Sequence, residues 1–162
     1  MRIKVQLNDA AAQRSLARLV TAGTNLTPLM RVISAHLQDS AEQSFEKEQS
    51  PDGKPWAKLS PVTVDQRKKK GYVPIKILTQ RAHLARSILA DWTSNEAIAG
   101  TNVIYAGTHQ FGAKQGAFGT SRRGSPIPWG NIPARPFLGV SPAHNQMIVD
   151  DVIRHMHRQI KP

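Results

Sequence analysis

The chain has 162 residues, none of them cysteine, and 22 Lys and Arg stand against 11 Asp and Glu for a net charge of +11. That length fits one domain, so residues 1–162 read as a single unit. The lack of cysteine excludes disulfides, thiolate nucleophiles and cysteine-based metal sites. A positive excess of this size draws the chain toward nucleic acid or acidic protein surfaces, without saying which.

Met1 to Leu7 alternates, with Ile3, Val5 and Leu7 on one side, which predicts a short half-buried strand. No apolar run of the signal-peptide kind follows, and no stretch approaches about 18 apolar residues, so synthesis in the cytoplasm with no membrane partner is expected. Asn8 or Asp9 can cap a helix carrying Leu16, Leu19 and Val20, which Gly23 ends. A longer helix is predicted from Thr27-Pro28, with Thr27 as cap and Leu29, Ile33, Leu37, Ala41 and Phe45 along one face. Glu42, Glu46 and Glu48 crowd its distal end, against helix-dipole logic, and basic partners are expected for them. Ser50–Trp56 is a turn cluster closing on an aromatic anchor. Ser60-Pro61 starts another helix toward Gln66 or Lys70, stopped by Gly71, and a short helix is expected from Thr79 through Leu84. Leu89–Trp92 and Ala97–Thr101 read as a hairpin joined by Thr93–Glu96. Residues 112–136 are rich in Gly and Pro, without periodicity, and form the longest loop. Ser141-Pro142 opens a last helix with Met147, Ile148, Val152 and Met156 on one stripe.

Catalytic chemistry finds little support. His155 and His157 are two apart on a helix and face different ways, and the other four histidines lie in separate elements, so no metal site is expected. No P-loop, glycine-rich dinucleotide fingerprint or nucleophile elbow occurs, and Asp150-Asp151 splays across a helix. The expectation is a protein that is not an enzyme and needs no cofactor. The sharper signal is positive charge. Lys58 to Arg86 carries eight bases with Asp65 the single acid, and Lys114 to Arg135 carries four bases with none. Arg67, Lys68, Lys69, Lys70, Arg122 and Arg123 are therefore candidates to face a partner or DNA. The plainer reading of any one of them is a solvated charge. Tyr72 is the lone aromatic in the first run, which argues against a base-stacking platform.

Three blocks recur in order: Pro51-Asp52-Gly53-Lys54-Pro55-Trp56, then Tyr105-Ala106-Gly107-Thr108-His109-Gln110-Phe111-Gly112, then Pro133-Ala134-Arg135-Pro136-Phe137-Leu138-Gly139. With Phe45, Leu59, Thr63, Ile77-Leu78, Leu84 and Ser87-Ile88 between them, they resemble the phage virion-morphogenesis, or tail-completion, family of Mu-like phages and prophages. The resemblance runs from about Phe45 to Ser141. It implies a structural protein of the virion that completes the tail and takes part in head–tail joining. It further implies a ring, often of six subunits in proteins at that position, with the tail tube or the head connector as partner. A ring would gather the positive loops around passing DNA or against acidic neighbours. A non-specific nucleic-acid-binding protein is the competing reading.

The blocks also have a physical reading. Trp56 can pin the preceding helix to the body of the domain. Tyr105–Gly112 reads as a helical turn with Tyr105 and Phe111 packed inward and Gly112 as stop, joined by His109 and Gln110 as motif positions with a structural role. Arg135, held between prolines ahead of Phe137, is expected to reach a carboxylate, with Glu42, Glu46 or Glu48 as candidates. The predicted fold is α+β: a small, mostly antiparallel sheet packed against the long helix and the C-terminal helix, with long basic loops. The loops around 64–74 and 113–130 are expected to order on assembly.

Overall fold

Helix α1 (Thr27–Lys47) organises the chain, whose computed structural model describes residues 26–160. Its interior has no glycine or proline beyond Pro28 in the first turn, and apolar residues recur every three or four positions. Leu29, Met30, Ile33, Leu37, Ala41 and Phe45 are all buried, as the periodicity predicts. Ser34, Ser40 and Ser44 share that face, and their small side chains let neighbouring backbone come close. Ser34 and Ser44 hydroxyls donate to carbonyls of the preceding turn, at Arg31 (2.8 Å) and Ser40 (3.1 Å), so neither is buried unsatisfied. The N-cap is Leu26, not Thr27, and no side chain caps that end. Glu48 closes the other end in a left-handed conformation, φ 54°. The predicted strand over 1–7 and the helix with Leu16, Leu19 and Val20 lie outside the described residues.

α1 serves two apolar clusters. Toward its start, Leu26, Leu29, Met30, Ile33 and Leu37 pack with Ala99 and with Ile148 and Val152 of the last helix, α5 (Pro142–Ile160). Two cross-helix pairs fix the alignment: His36 with Asp151 at 2.8 Å, and His144 with Asp39 at 2.7 Å. Ascending positions on α1 meet descending positions on α5, so the helices run antiparallel. His144 is fully buried, and its hydrogen bond, first among the causes, holds the Asp39 carboxyl below the usual carboxylate range. Asp150 turns to Gln146 while Asp151 turns to His36, which is the splay expected of adjacent residues. Met147 departs from the predicted stripe and is 47% exposed, one position ahead of the buried Ile148.

Strands β1 (Leu89–Trp92) and β2 (Ala97–Gly100) form an antiparallel hairpin in register Leu89 to Gly100 and Trp92 to Ala97. The Thr93 hydroxyl accepts from the amides of Asn95 and Glu96 and so braces the connection. The hairpin lies on α1, and the Gln38 side chain accepts from the Ala90 amide at 3.1 Å. This is the predicted α+β arrangement, with a sheet of two strands among the described residues.

Toward its end, α1 supplies Ala41 and Phe45 to the second cluster, with Trp56, Ile77, Leu84, Ile88, Val103, Ala106, Phe137 and Leu138. Between these anchors run three short helices: α2 (Pro61–Lys69), α3 (His83–Arg86) and α4 (Ala106–Phe111). α2 starts as predicted, the Ser60 hydroxyl accepting from the Thr63 amide. α3 is shorter than the predicted Thr79–Leu84 helix, because Leu78 and Ala82 both adopt left-handed backbone that a helix cannot contain. Much of the basic segment 64–74 belongs to α2 and is not loop. Residues 113–132 form an irregular two-chain ribbon. It is closed at its base by paired bonds between Ala113 and Ile132 (2.9 and 2.7 Å) and at its tip by Ser121 to Ser125 (2.7 Å).

Phe137, fully buried between Phe45 and the other members of the second cluster, sets a test of this core. Phe137→Ala removes a ring that its neighbours cannot replace and is expected to cost about 3–5 kcal/mol. Urea unfolding monitored by circular dichroism measures it, and a loss below about 1 kcal/mol would contradict this packing.

Candidate functional site

The three sequence blocks, far apart in the chain, meet in one place. Trp56 packs edge-on against Phe45, ring centroids 5.6 Å apart, and its indole N–H donates to the Pro136 carbonyl at 2.8 Å. Gln110, on the buried side of α4, clamps the third block. Its side-chain oxygen accepts from the amides of Phe137 and Leu138, both at 3.0 Å, and its NH2 donates to the Leu138 carbonyl at 3.0 Å. The Arg135 amide donates to the His109 carbonyl at 2.7 Å. The Arg135 side chain reaches back to the first block, Nε to the Ala57 carbonyl (2.8 Å) and Nη2 to the Lys58 carbonyl (3.2 Å). Two glycines allow the close approach. A Cβ on Gly112, φ 75°, would sit 2.8 Å from the Ile132 carbonyl oxygen, and one on Gly139 would sit 2.9 Å from the Pro51 ring.

Two expectations fail here for physical reasons. Arg135 pairs with carbonyls and not with Glu42, Glu46 or Glu48, because the carbonyls it meets belong to irregular backbone that has no ladder partner. Glu48 instead accepts from the Ile77 amide at 2.6 Å, and Glu42 from the Gln38 side chain at 2.7 Å. Tyr105 and Phe111 do not pack inward: they are 44% and 66% exposed, and Ala106 and Gln110 take the buried positions of α4. A six-residue helix buries one narrow stripe, and the polar Gln110 occupies it because its amide matches the strandless backbone opposite.

The positive residues singled out in the sequence sit on two separate elements. Arg67, Lys68 and Lys69 form the last turn of α2, where cations favour the negative helix end, and Lys70 follows as C-cap. Arg122 and Arg123 lie at the exposed tip of the ribbon. The ribbon also displays Phe118 and Trp129, the latter 80% exposed, and Ile104 just before α4 is 92% exposed.

Beside the end of α2 lies a cleft of ≈ 590 Å³, lined by Thr63 and Arg67 of α2, Arg81, His83 of α3, Tyr105, His109 and Arg135. The His83 ring hydrogen-bonds the Tyr105 hydroxyl at 3.0 Å, and Tyr105 meets His109 edge-on with centroids 5.8 Å apart. Arg81 lies against Tyr72 and donates to its hydroxyl at 2.9 Å. Burial first, and the Arg135 charge second, push the His109 imidazole below its ordinary value. Burial, with Arg67 nearby, also lowers Arg135. Arg81 and His83 were not among the residues singled out by sequence. In the sequence Arg81 is only one base of the Lys58–Arg86 run and His83 only one of six separate histidines, and only folding gathers them. Among the described residues no group of three His, Asp or Glu side chains is placed to hold a metal ion, and no helix is long and apolar enough to cross a membrane.

Residues 7–157 match the phage virion morphogenesis family. The chain is 37% identical over 132 residues to the "Putative capsid assembly protein G" of Escherichia phage Mu, covering 81% of this chain and 80% of that protein. It is 35% identical over 161 residues to the Mu-like prophage FluMu G protein 2 of Haemophilus influenzae, covering 98% and 99%. The FluMu G protein 1 of the same organism is 30% identical over 144 residues, covering 86% and 85%. No solved structure matches.

Gln110→Leu keeps the volume but strands two amides and one carbonyl, and should cost about 3 kcal/mol or more in chemical unfolding. Gln110→Glu keeps the acceptor and should fall between Leu and wild type; equal stability of all three would remove the clamp from this account. The depressed His109 fixes a pH dependence. Its unfolded form binds a proton below about 6.5 while the folded form resists, so folding loses free energy as pH falls through that value. The stability lead of wild type over His109→Gln should therefore shrink between neutral pH and a pH well below 6.5, read as the difference in unfolding midpoints.

Proposed function

The chain belongs to the phage virion morphogenesis family, and from that premise we propose that it completes the phage tail and joins tail to head as a ring at the tail end. A phage assembly role is common ground for the family and for the phage Mu relative, which is named for capsid assembly. The observation that carries the finer reading is the ribbon. Phe118 and Trp129 stand exposed on it, held by paired backbone bonds and with no acid along its length. Exposed aromatics gathered on a held projection are the composition of surfaces that other proteins cover. The role is binding: association free energy from apolar burial, steered by charge. Synthesis in the host cytoplasm and incorporation at the head–tail junction belong to the same reading.

A second reading, non-specific nucleic-acid binding, draws on the exposed Lys68–Lys70 run and the Arg122-Arg123 tip. The two differ in what the isolated protein does. Light scattering behind size exclusion, at low and high salt and with or without short duplex DNA, separates them. A defined oligomer that ignores DNA is the expected result, and Trp129→Ser should weaken that oligomer. A monomer at every concentration that binds DNA and releases it as salt rises would overturn the ring in favour of the second reading.

A further inference from the structure

The cleft between α2, α3 and α4 has a chemistry that the fold uses only in part. Arg67 donates to the Lys76 carbonyl, Arg81 to Tyr72 and Arg135 to two carbonyls, and no carboxylate meets any of them there. Three guanidinium groups (Arg67, Arg81, Arg135) and two imidazoles (His83, His109) line it, and no Asp or Glu does. Two buried nitrogens there have no hydrogen-bond partner, Nε of Arg67 and Nδ1 of His109. Buried polar atoms are rarely left so, and each costs free energy unless something outside the chain meets it. Among the described residues, several carboxylates lie elsewhere. Asp39 and Asp151 meet histidines of the helix pair, Asp52 meets Lys54, Glu48 meets the Ile77 amide, and Glu46 lines the adjoining hollow by Tyr72.

We propose that this cleft is a receptor for a single carboxylate side chain, an Asp or Glu presented by a neighbouring protein of the assembling virion. That the donor is a virion protein rests on the assembly role. The choice of carboxylate rests on shape and donors. Arg135 is 6% exposed and His109 half-buried, so the inner donors lie in a recess that one side chain can enter. A nucleic-acid backbone, with one charge per about 3.4 Å of strand axis, is served instead by extended exposed bases such as Lys68–Lys70. A guanidinium fork matches the planar carboxylate, and pairing neutralises positive charges that otherwise face one another. The groups facing His109 are Arg67 from α2, His83 from α3, Tyr105, and Arg135 from the third block. An arriving carboxylate offsets part of that positive surrounding and favours the protonated imidazole.

The test uses the full chain and a short fluorescent oligoglutamate peptide at low salt, read by anisotropy, with a short DNA duplex measured in parallel. Wild type is expected to bind the peptide. Arg81→Glu places a carboxylate of the chain's own in the cleft from an exposed position, and should weaken binding about tenfold or more with an unchanged unfolding midpoint. His109→Gln should weaken it too. The triple variant K68Q/K69Q/K70Q removes more charge from outside the cleft and should bind the peptide within about twofold of wild type. The His109 ring resonances should titrate at higher pH with peptide than without. Absence of wild-type binding, or a loss in the triple variant equal to that of Arg81→Glu, would overturn the cleft as receptor. So would an Arg81→Glu variant that loses DNA as strongly as peptide. The readout is independent of ring formation. A monomer that binds the peptide keeps the cleft and removes the ring, and a ring that ignores the peptide does the reverse.

Discussion

The structure turns on one side-chain amide. Gln110 answers two N–H groups and one carbonyl of residues 137 and 138, a stretch with no strand or helix of its own. Buried backbone must be paired, and irregular chain can be buried only if side chains supply the pairs. Because that clamp exists, Phe137 and Leu138 can enter the core beside Phe45, and Pro136 is placed to receive the Trp56 indole. The turn that follows α1 is then fixed as well. Gly139 lies against Pro51, and Asp52 braces the same turn through Lys54 and Ser50, which, Lys54 foremost, hold its carboxyl down to about 2.

This explains how the described residues, with a sheet of two strands, hold their form. α1 contributes one end to a helix pair with α5 and the hairpin, and the other end to a knot of loops. The helix-pair end is stabilised by ordinary apolar periodicity, supplemented by the His36–Asp151 and His144–Asp39 pairs. The loop end depends on individually placed polar groups: Gln110, Arg135, Trp56 and Glu48. Polar networks of this kind favour a single geometry, since a partly formed one leaves buried groups unpaired. A component that must present fixed surfaces to other proteins gains from that property.

The division of labour also bears on how such a chain can vary. The knot is internal, and the ribbon 113–132 leaves it and returns at the Ala113–Ile132 pair. Changes in the ribbon between those two residues need not disturb the Gln110 clamp, because none of the clamp's bonds falls inside it. Specific contacts can then be carried on the projection and in the cleft while the three blocks hold the frame. The ribbon in this way separates from the frame, whereas His109 and Arg135 of the blocks both hold the frame and line the cleft.

The sequence by itself determined the regular elements: α1, α2, the hairpin and α5 are all legible from periodicity, capping residues and turn residues, because these signals are local. Leu29, Ile33, Leu37, Ala41 and Phe45 could be assigned to the core from spacing alone, and the family from three blocks in order. Only the tertiary structure decided what those blocks do to one another. That Arg135 binds carbonyls and not carboxylates depends on residues 77 and 78 positions away. That Tyr105 and Phe111 face outward depends on Gln110 claiming the single buried stripe of α4. The late start of the helix expected from Thr79 came from left-handed backbone at Leu78 and Ala82, neither of them a residue type that signals it. The cleft was invisible for the same reason, since Arg67, Arg81, His83, His109 and Arg135 form a charged recess only once the knot has closed. Local patterns fix elements, whereas the pairing of irregular backbone is settled by whichever side chain the folded chain brings within reach.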